Sequence, residues 1–234
     1  AYDKAQKKLL SERRAFYRQF IKPSSLCFDI GANYGNRTSV FLDLQASVVA
    51  VEPQQKCYDF LMKKFSKNAF ILKKGVAASS GFLDFFINEE NSQVSTFSKD
   101  WIDELKQTRF ASNEWNRTER IEVTTLDLLI AEYGEPQFIK IDVEGFEPEV
   151  LKGLSKKFQY LSFEYAIPEK MDNLIECLDI LSSNYKNLYA NYAVGEEPVL
   201  QLPKWILLSE MRKYIEQKPF VGTFAGDIYI KTNE

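Results

Sequence analysis

Apolar residues in the first part of the chain alternate between strand-like and helix-like spacing. Residues 26–30 (LCFDI), 47–53 (SVVAVEP) and 69–79 (AFILKKGVAAS) are continuous apolar or branched runs, which predict three strands. Residues 36–45 and 54–66 repeat apolar positions every three to four residues, which predicts two helices. A β-α-β-α-β order predicts an α/β fold with a doubly wound parallel sheet and helices on both faces.

The rest of the chain continues this alternation. A helix is predicted over residues 2–20 and is stopped by Pro23, since proline breaks a helix. The other predicted strands are 81–88, a short one that begins at 121, 137–145, 160–166, 187–194 and 227–232. Three further helices are predicted: one that ends at 134, one that begins at 148 and one over 169–183. Apart from the extra strand 81–88 and the short one from 121, seven main strands are expected, and the last two lack a helical crossover of the earlier kind.

Composition excludes several classes of protein. The 234 residues are 45% hydrophobic and 27% charged, with a net charge of −3 and no histidine. A negative chain is a poor partner for nucleic acid, so no nucleic-acid partner is expected. No run approaches the ~18 apolar residues of a membrane span. The three cysteines form no CxxC pair, so we expect neither a disulfide framework nor a zinc site, and a reducing, cytoplasmic setting.

The loop after the first strand, DIGANYG, is rich in glycine and follows an acid, Asp29. A dinucleotide fingerprint needs G-x-G-x-x-G, but Asn33 stands at the middle glycine and Gly35 comes one position early. A phosphate-binding Walker loop needs G-K-[ST], which is absent. The remaining interpretation is a tight turn on which a ligand lies close to the backbone, with a plain structural turn as the alternative.

Two acids indicate the kind of ligand. Glu52 ends the second strand about 20 residues after Gly31, where an acid commonly accepts hydrogen bonds from a ribose diol. Asp29 would repel a pyrophosphate and attract an ammonium or a sulfonium group. S-adenosylmethionine carries a ribose, an amino-acid end and a cationic sulfur, so it is the predicted cofactor.

Four stretches in order, FDIGANYGNRT, VEP, VTTLD and FIKIDVEGFEPEVLKGL, resemble the FkbM-type family of S-adenosylmethionine-dependent methyltransferases. The resemblance covers roughly residues 25 to 166, and K-I-D-V-E-G-x-E with the following L-x-G is its most distinctive part. It implies a three-layer, Rossmann-like class I methyltransferase fold, in which a seven-stranded, mostly parallel sheet has an antiparallel last strand. It also implies methylation of a hydroxyl on a sugar, glycan or natural product.

The resemblance places cofactor-binding residues on the glycine loop and on the ends of the neighbouring strands. They are Asp29, Gly31, Asn33, Gly35, Glu52, Val76, Ala77 and Asp142. For Val76 and Ala77, simple strand packing is an equal alternative. Ser95 and Thr96 match a serine-rich stretch of the family and are candidates for substrate contact, with a surface turn as the alternative.

Acids at the ends of later strands are the candidates for catalysis. Lys140, Asp142 and Glu144 alternate, so within a strand their side chains point the same way. We expect Asp142 in the active site and Lys140 either there or in an ion pair that supports it. Glu164 ends another strand at the same edge of the sheet and is a second candidate. Glu144 and Glu147 are candidates for binding substrate, orienting the loop or capping the next helix.

Without histidine, Asp142 or Glu164 is the expected general base for the acceptor hydroxyl. A cluster of Asp142, Glu144 and Glu164 that holds Mg²⁺ or Ca²⁺ is the alternative, since these ions prefer oxygen ligands. The metal-free mechanism ranks first, because no oxygen-ligand motif of fixed spacing is present.

The expected domain organisation is an N-terminal helical extension, 1–24, and a single methyltransferase domain, 25–234. Variable insertions at about 89–120 and 195–226 are expected to choose the acceptor. The first insertion carries aromatic and basic residues that suit a sugar face or lid, an ordinary satellite core or a contact in a possible homodimer.

Three other functions are rivals to this interpretation. A nicotinamide-dependent oxidoreductase is disfavoured by Asn33 and Asp29, and a degenerate module that binds the cofactor without catalysis is the second rival. A nucleic-acid or protein methyltransferase is the third. Two features argue against a nucleic-acid target: the net charge is negative, and the sequence IDVEG stands where a base-flipping N-P-P-Y stretch would be needed.

Overall fold

The computed structural model describes residues 2–105, 112 and 114–232. Within them lie eleven strands: β1 (Leu26–Ile30), β2 (Ser47–Val51), β3 (Ala69–Leu72), β4 (Gly75–Val76), β5 (Gly81–Ile87), β6 (Arg117–Thr124), β7 (Phe138–Ile141), β8 (Tyr160–Ala166), β9 (Tyr189–Val194), β10 (Ile206–Leu207) and β11 (Ala225–Lys231). The helices are α1 (Tyr2–Tyr17), α2 (Asn36–Asp43), α3 (Gln55–Phe65), α4 (Lys99–Leu105), α5 (Leu126–Tyr133), α6 (Glu147–Lys152), α7 (Met171–Asn184), α8 (Leu208–Tyr214) and α9 (Lys218–Val221). None of these helices is long and apolar enough to cross a membrane.

The main sheet has the strand order β10-β9-β11-β8-β7-β1-β2-β3. Strands β1, β2, β3, β7 and β8 pair in parallel, whereas β11 is antiparallel to both β8 and β9. The predicted mostly parallel sheet with an antiparallel last strand is therefore confirmed. The two-residue strand β10 adds an eighth, antiparallel edge, which is too short to leave an alternation in the sequence.

A second sheet, β4-β6-β5, stands beside the main one. It divides the run 69–79, which was predicted as one strand: β3 joins the main sheet and β4 the small one. Strand β6 begins at Arg117, inside the predicted insertion, because its polar first residues pair with β5 at an exposed end where hydrophobicity gives no signal. Residues 106–111 and 113 of that insertion lie outside the described residues.

Helices cover both faces of the main sheet and give the three predicted layers. Side chains of neighbouring residues on β1 point to opposite faces, so Cys27 packs on one side and Phe28 on the other. Helices α5, α6 and α7 cover the Phe28 side. On the Cys27 side, α1, α2 and α3 contribute to a cluster in which Phe20 of the chain after α1 stacks on Phe138, with ring centroids 5.6 Å apart.

Candidate active site

The glycine loop joins β1 to α2 at the carboxyl end of the sheet. Gly31 and Gly35 have φ angles of +78° and +76°, a region that residues with a side chain rarely adopt. A Cβ on Gly31 would lie 1.8 Å from the carbonyl oxygen of Asp142, and one on Gly35 would lie 2.5 Å from the ring of Phe65. Both glycines therefore allow close packing within the protein, and Gly31 brings the loop against the end of β7.

Asp29 lies at the end of β1, where it is almost completely buried. Its Oδ2 accepts a 2.5 Å hydrogen bond from Oγ1 of Thr38 in α2. Burial raises the pKa of Asp29, while the bond from Thr38 and the charge of Lys140 oppose the rise. The strand and the helix that flank the loop are thus tied together below it.

Glu52 follows β2 and reaches under the same loop. Its two oxygens accept hydrogen bonds from the backbone N–H groups of Asn33 and Gln54, each at 2.8 Å. A carboxylate has about four acceptor positions, so two remain. Burial raises the pKa of Glu52 to about 7, against these two bonds.

These residues line a cavity of about 320 Å³ at the carboxyl ends of the strands. Ligand sites of open α/β sheets lie at this edge. Among the predicted site residues, those that line the cavity are Asp29, Gly31, Asn33, Glu52, Val76, Ser95, Asp142, Glu144 and Glu164. The glycine loop, the end of β2 and the acids after β7 and β8 therefore meet around one space.

Cross-strand register brings acids from distant parts of the chain together. Lys140 on β7 lies opposite Ser162 on β8, and Glu164 lies opposite Asp227 on β11. Ser162 is small and fully buried, so the side chain of Lys140 can pass over it. Nζ of Lys140 donates to Asp227 at 2.9 Å and to Asp142 at 3.3 Å.

Asp142, Glu144 and Glu164 present carboxylate oxygens that lie within 4.8 Å of one another. Strand β7 ends at Ile141 and Glu144 has a φ of +53°, so a turn, and not strand alternation, brings Glu144 to this group. Burial, with the charge of Asp142 adding to it and that of Lys170 opposing it, raises the pKa of Glu144 to about 8. Burial and then the charge of Asp142 hold the pKa of Glu164 well above its ordinary value.

The other five predicted site residues lie behind the surface of the cavity. Gly35 packs on α3, the Ala77 carbonyl lies close to Gly153, and the Thr96 hydroxyl accepts a bond from the N–H of Ser98. Lys140 is buried beneath the acids. Oε1 of Glu147 accepts bonds from the N–H groups of Val143 and Gly145, each at 3.2 Å, and so holds the loop after β7.

Several residues of the cavity were not among the predicted ones. Those with large or charged side chains include Tyr34, Arg37, Lys74, Phe85, Phe97 and Glu196. The position of Arg37 in the first turn of a predicted helix could have indicated a function. A cation there is unfavourable for the helix dipole, so its presence suggests a role other than stabilising the helix. No local pattern marks Glu196, which reaches the cavity only through the turn after β9.

The donor and acceptor set of the cavity fits S-adenosylmethionine. Glu52 has free acceptor positions for a ribose diol. Asp29 and Asp142 are acids of the kind that attract an ammonium or a sulfonium group, and both line the cavity. Val76, Phe85 and Phe97 supply an apolar wall of the kind an adenine ring needs.

Comparison with known proteins agrees with this assignment. The model of the family described as "Methyltransferase FkbM domain" matches residues 29–180. A hexuronic acid methyltransferase, AglP of Haloferax volcanii, is 29% identical over 141 residues, which are 58% of this chain and 52% of that protein. The chain thus spans about half the length of this curated relative.

Two solved structures are also similar in outline. A TehB-like methyltransferase from Corynebacterium glutamicum has 8% identity and a TM-score of 0.49, with 100% of this chain and 96% of that one covered. An O-methyltransferase from Bacillus cereus in complex with S-adenosylhomocysteine has 10% identity and a TM-score of 0.47, with 97% and 81% covered.

Proposed function

This chain belongs to the FkbM family of S-adenosylmethionine-dependent methyltransferases, and from this premise we propose that it methylates a hydroxyl group of a sugar, glycan or natural product. The observation that carries the proposal is the meeting of Asp142, Glu144 and Glu164 beside the glycine loop. Carboxylates at this place can hold a hydroxyl group and accept its proton. A nicotinamide-dependent oxidoreductase is no longer a rival.

The glycine loop and the end of β2 are proposed to orient the cofactor. Bound S-adenosylmethionine supplies an electrophilic methyl group on a sulfonium. Glu52 accepts hydrogen bonds from the ribose hydroxyls, and Asp29, with Thr38 fixing its carboxylate, places negative charge near the amino-acid end. Holding the reacting atoms in line is the largest contribution that such a site can make.

Asp142 and Glu164 are proposed to hold the acceptor hydroxyl. Burial and the charge of Asp142 raise the pKa of Glu164, so its ionised form is a stronger base than that of an ordinary glutamate, and this ionised form takes the proton from the hydroxyl oxygen as the methyl group is transferred. Lys140 lies below Asp142 at 3.3 Å and fixes its position. Lys140 is thus a positioning residue in this proposal.

The sugar acceptor is supported by the relative in Haloferax volcanii, whose name gives a hexuronic acid as its substrate. The acidic cavity suits hydroxyl groups, because carboxylates accept their hydrogen bonds. The proposed partners are therefore carbohydrates or hydroxylated small molecules. That the protein does not bind nucleic acid and that it can form a homodimer stay predictions from the sequence.

Calorimetry with S-adenosylhomocysteine tests the cofactor part of the proposal. We expect binding of one equivalent, and no binding would contradict it. Incubation with S-adenosylmethionine and a panel of glycans and hydroxylated metabolites, followed by mass spectrometry, tests the acceptor. A gain of one methyl group on oxygen is expected, whereas transfer only to nitrogen or carbon would overturn the O-methyltransferase assignment.

The metal-free mechanism predicts that chelation leaves turnover intact. The three acids are also a geometric candidate for a cation site, since their oxygens lie within 4.8 Å. We expect turnover after EDTA treatment and desalting to stay within about twofold of the untreated rate, because the ammonium group of Lys140 already offsets part of the acidic charge at Asp142. Complete loss that Mg²⁺ restores would instead favour the Mg²⁺ or Ca²⁺ alternative.

A further inference from the structure

Two arginines converge on one carboxylate oxygen at the wall of the cavity. Nη2 of Arg13 on α1 and Nη2 of Arg37 on α2 each lie 2.6 Å from Oε2 of Glu196. Arg37 and Glu196 line the cavity, and Arg13 lies directly behind them. Two positive charges from different helices thus share a single negative charge.

The two guanidinium groups have hydrogen-bonding capacity to spare. Nε of Arg13 and Nε of Arg37 are buried and have no hydrogen-bond partner among the described residues. Burial, and then the like charge of Arg37, lower the pKa of Arg13. Asp227 stands nearby, but it is already bonded to Lys140 at 2.9 Å. The arginine pair therefore carries two positive charges and two unpaired donors around the single carboxylate of Glu196.

Glu196 is held more loosely than the arginines it joins. Its side chain is 70% exposed, whereas the side chains of Arg13 and Arg37 are each 14% exposed. It follows Gly195, whose φ is +54°, in the turn after β9. Glu196 therefore reaches the two arginines from an exposed turn, and a ligand carboxylate can replace its carboxylate while the largely buried arginines stay in place.

We propose that Arg13 and Arg37 form a binding site for a ligand carboxylate, and that Glu196 holds the place of this carboxylate in the free protein. The forked donors of a guanidinium match a carboxylate in geometry. The inference rests on the proposed function, which offers two sources of the same chemistry. One is the amino-acid carboxylate of the cofactor, and the other is the carboxylate of an acidic sugar acceptor.

The test compares the affinity of probes with and without a carboxylate. The probes are S-adenosylhomocysteine, its decarboxylated analogue, and glucuronate or glucose added to protein saturated with S-adenosylhomocysteine. Arg37→Gln and Arg13→Gln should each weaken a carboxylate probe by about tenfold or more, since a charged hydrogen bond is lost. Arg18→Gln, which changes an exposed arginine, serves as the control.

The pattern of losses identifies the source. If the arginine variants bind S-adenosylhomocysteine more weakly but bind its decarboxylated analogue with unchanged affinity, the site belongs to the cofactor. If they bind glucuronate more weakly but bind S-adenosylhomocysteine with unchanged affinity, the site belongs to an acidic acceptor. Unchanged affinity for both carboxylate probes in both arginine variants overturns the site, while binding of S-adenosylhomocysteine to the unaltered protein tests the proposed function separately.

A substitution of Glu196 should change the affinity in the opposite direction, and this test does not depend on the stability of the arginine variants. Glu196→Gln removes the competing charge, so the carboxylate probe should bind several-fold more tightly. Glu197→Gln changes the neighbouring exposed acid and should leave the affinity unchanged. Equal or weaker binding by Glu196→Gln would contradict the idea that Glu196 holds the place of a ligand.

Discussion

At the residue scale, the acids of the cavity are distinguished by their surroundings. Glu52 is buried and bonded to two backbone N–H groups, whereas Glu144 and Glu164 face other carboxylates. Burial raises the pKa of Glu52 to about 7 and that of Glu144 to about 8. The proposed function accordingly gives these identical side chains different tasks: Glu52 would hold the ribose hydroxyls, and Glu164 would accept the proton of the acceptor hydroxyl.

Replacement of Asp142 by Asn should separate binding from catalysis. Asn keeps the shape of Asp but loses the charge that orients the hydroxyl, so we expect turnover to fall about 10²–10⁴-fold. The affinity for S-adenosylhomocysteine should change only a few-fold in calorimetry. Asp84→Asn, on an exposed part of β5, is the matched control. Turnover equal to that of the control would remove Asp142 from the mechanism.

Replacement of Glu52 by Gln should weaken cofactor binding. The amide offers a single acceptor atom where the carboxylate serves two backbone N–H groups and the ribose. We expect the affinity for S-adenosylhomocysteine to fall about 10- to 100-fold. The same substitution should weaken the binding of an analogue without ribose hydroxyls much less. If both ligands lose equally, Glu52 supports the loop and does not contact the ribose.

At the element scale, the register of four strands decides the site. Asp29 on β1 lies opposite Lys140 on β7, and Lys140 lies opposite Ser162 on β8. Asp142 and Glu164 each follow two residues later along the chain, and Glu164 lies opposite Asp227 of the antiparallel strand β11. A shift of one residue would turn each side chain to the other face, so pairing of the apolar strands also aligns the charged ends.

Gly31→Ala tests the close approach between the loop and β7. The added Cβ would lie 1.8 Å from the Asp142 carbonyl oxygen, so the loop must move. We expect a loss of about 2–4 kcal/mol in the free energy of unfolding, measured with urea, and weaker cofactor binding. Gly195→Ala is the control, since Gly195 also has a positive φ but has nothing within 4 Å of the new Cβ. Equal losses in the two variants would show that only the backbone angle matters.

At the scale of the whole molecule, helix α1 from the first part of the chain packs against strand β11 from the last part. Tyr17 of α1 and Tyr229 of β11 lie in one aromatic cluster with Phe41 and Phe138. Residues 16–21 therefore share the core of the rest, although how the chain divides into domains stays a prediction. The contact of α1 with the sheet also delivers Arg13 to the cavity wall.

Stability should depend on pH through the buried acids. The pKa of Glu144 in the folded protein is about 8, against an ordinary 4.5, so the folded protein keeps a proton that the unfolded chain loses. The contribution of Glu144 is present below pH 4.5 and is lost as pH rises through about 8. Glu144→Gln should show a smaller fall in the free energy of unfolding between pH 5 and 8. The control, Glu90→Gln at an exposed acid, should follow the unaltered protein, and a curve for Glu144→Gln that matches it would contradict the prediction.

Much of the fold could be predicted from sequence, because buried parallel strands are long apolar runs. The same rule failed where burial was partial: the polar start of β6 and the short β10 carry no clear apolar alternation. Asp29 and Glu52 were singled out because each stands near the end of a predicted strand, and both line the cavity. Lys140, Gly35 and Glu147 were also singled out, yet the structure places them behind the cavity.

The sequence by itself determined the fold class, the family and the glycine loop that lines the cavity, since these depend on local patterns of apolar residues, glycines and acids. Only the tertiary structure decided which charges meet. Lys140 reaches Asp227, 87 residues away, across Ser162, and Arg13 reaches Glu196, 183 residues away. Such contacts depend on strand order and helix packing, and a linear sequence records neither of these directly.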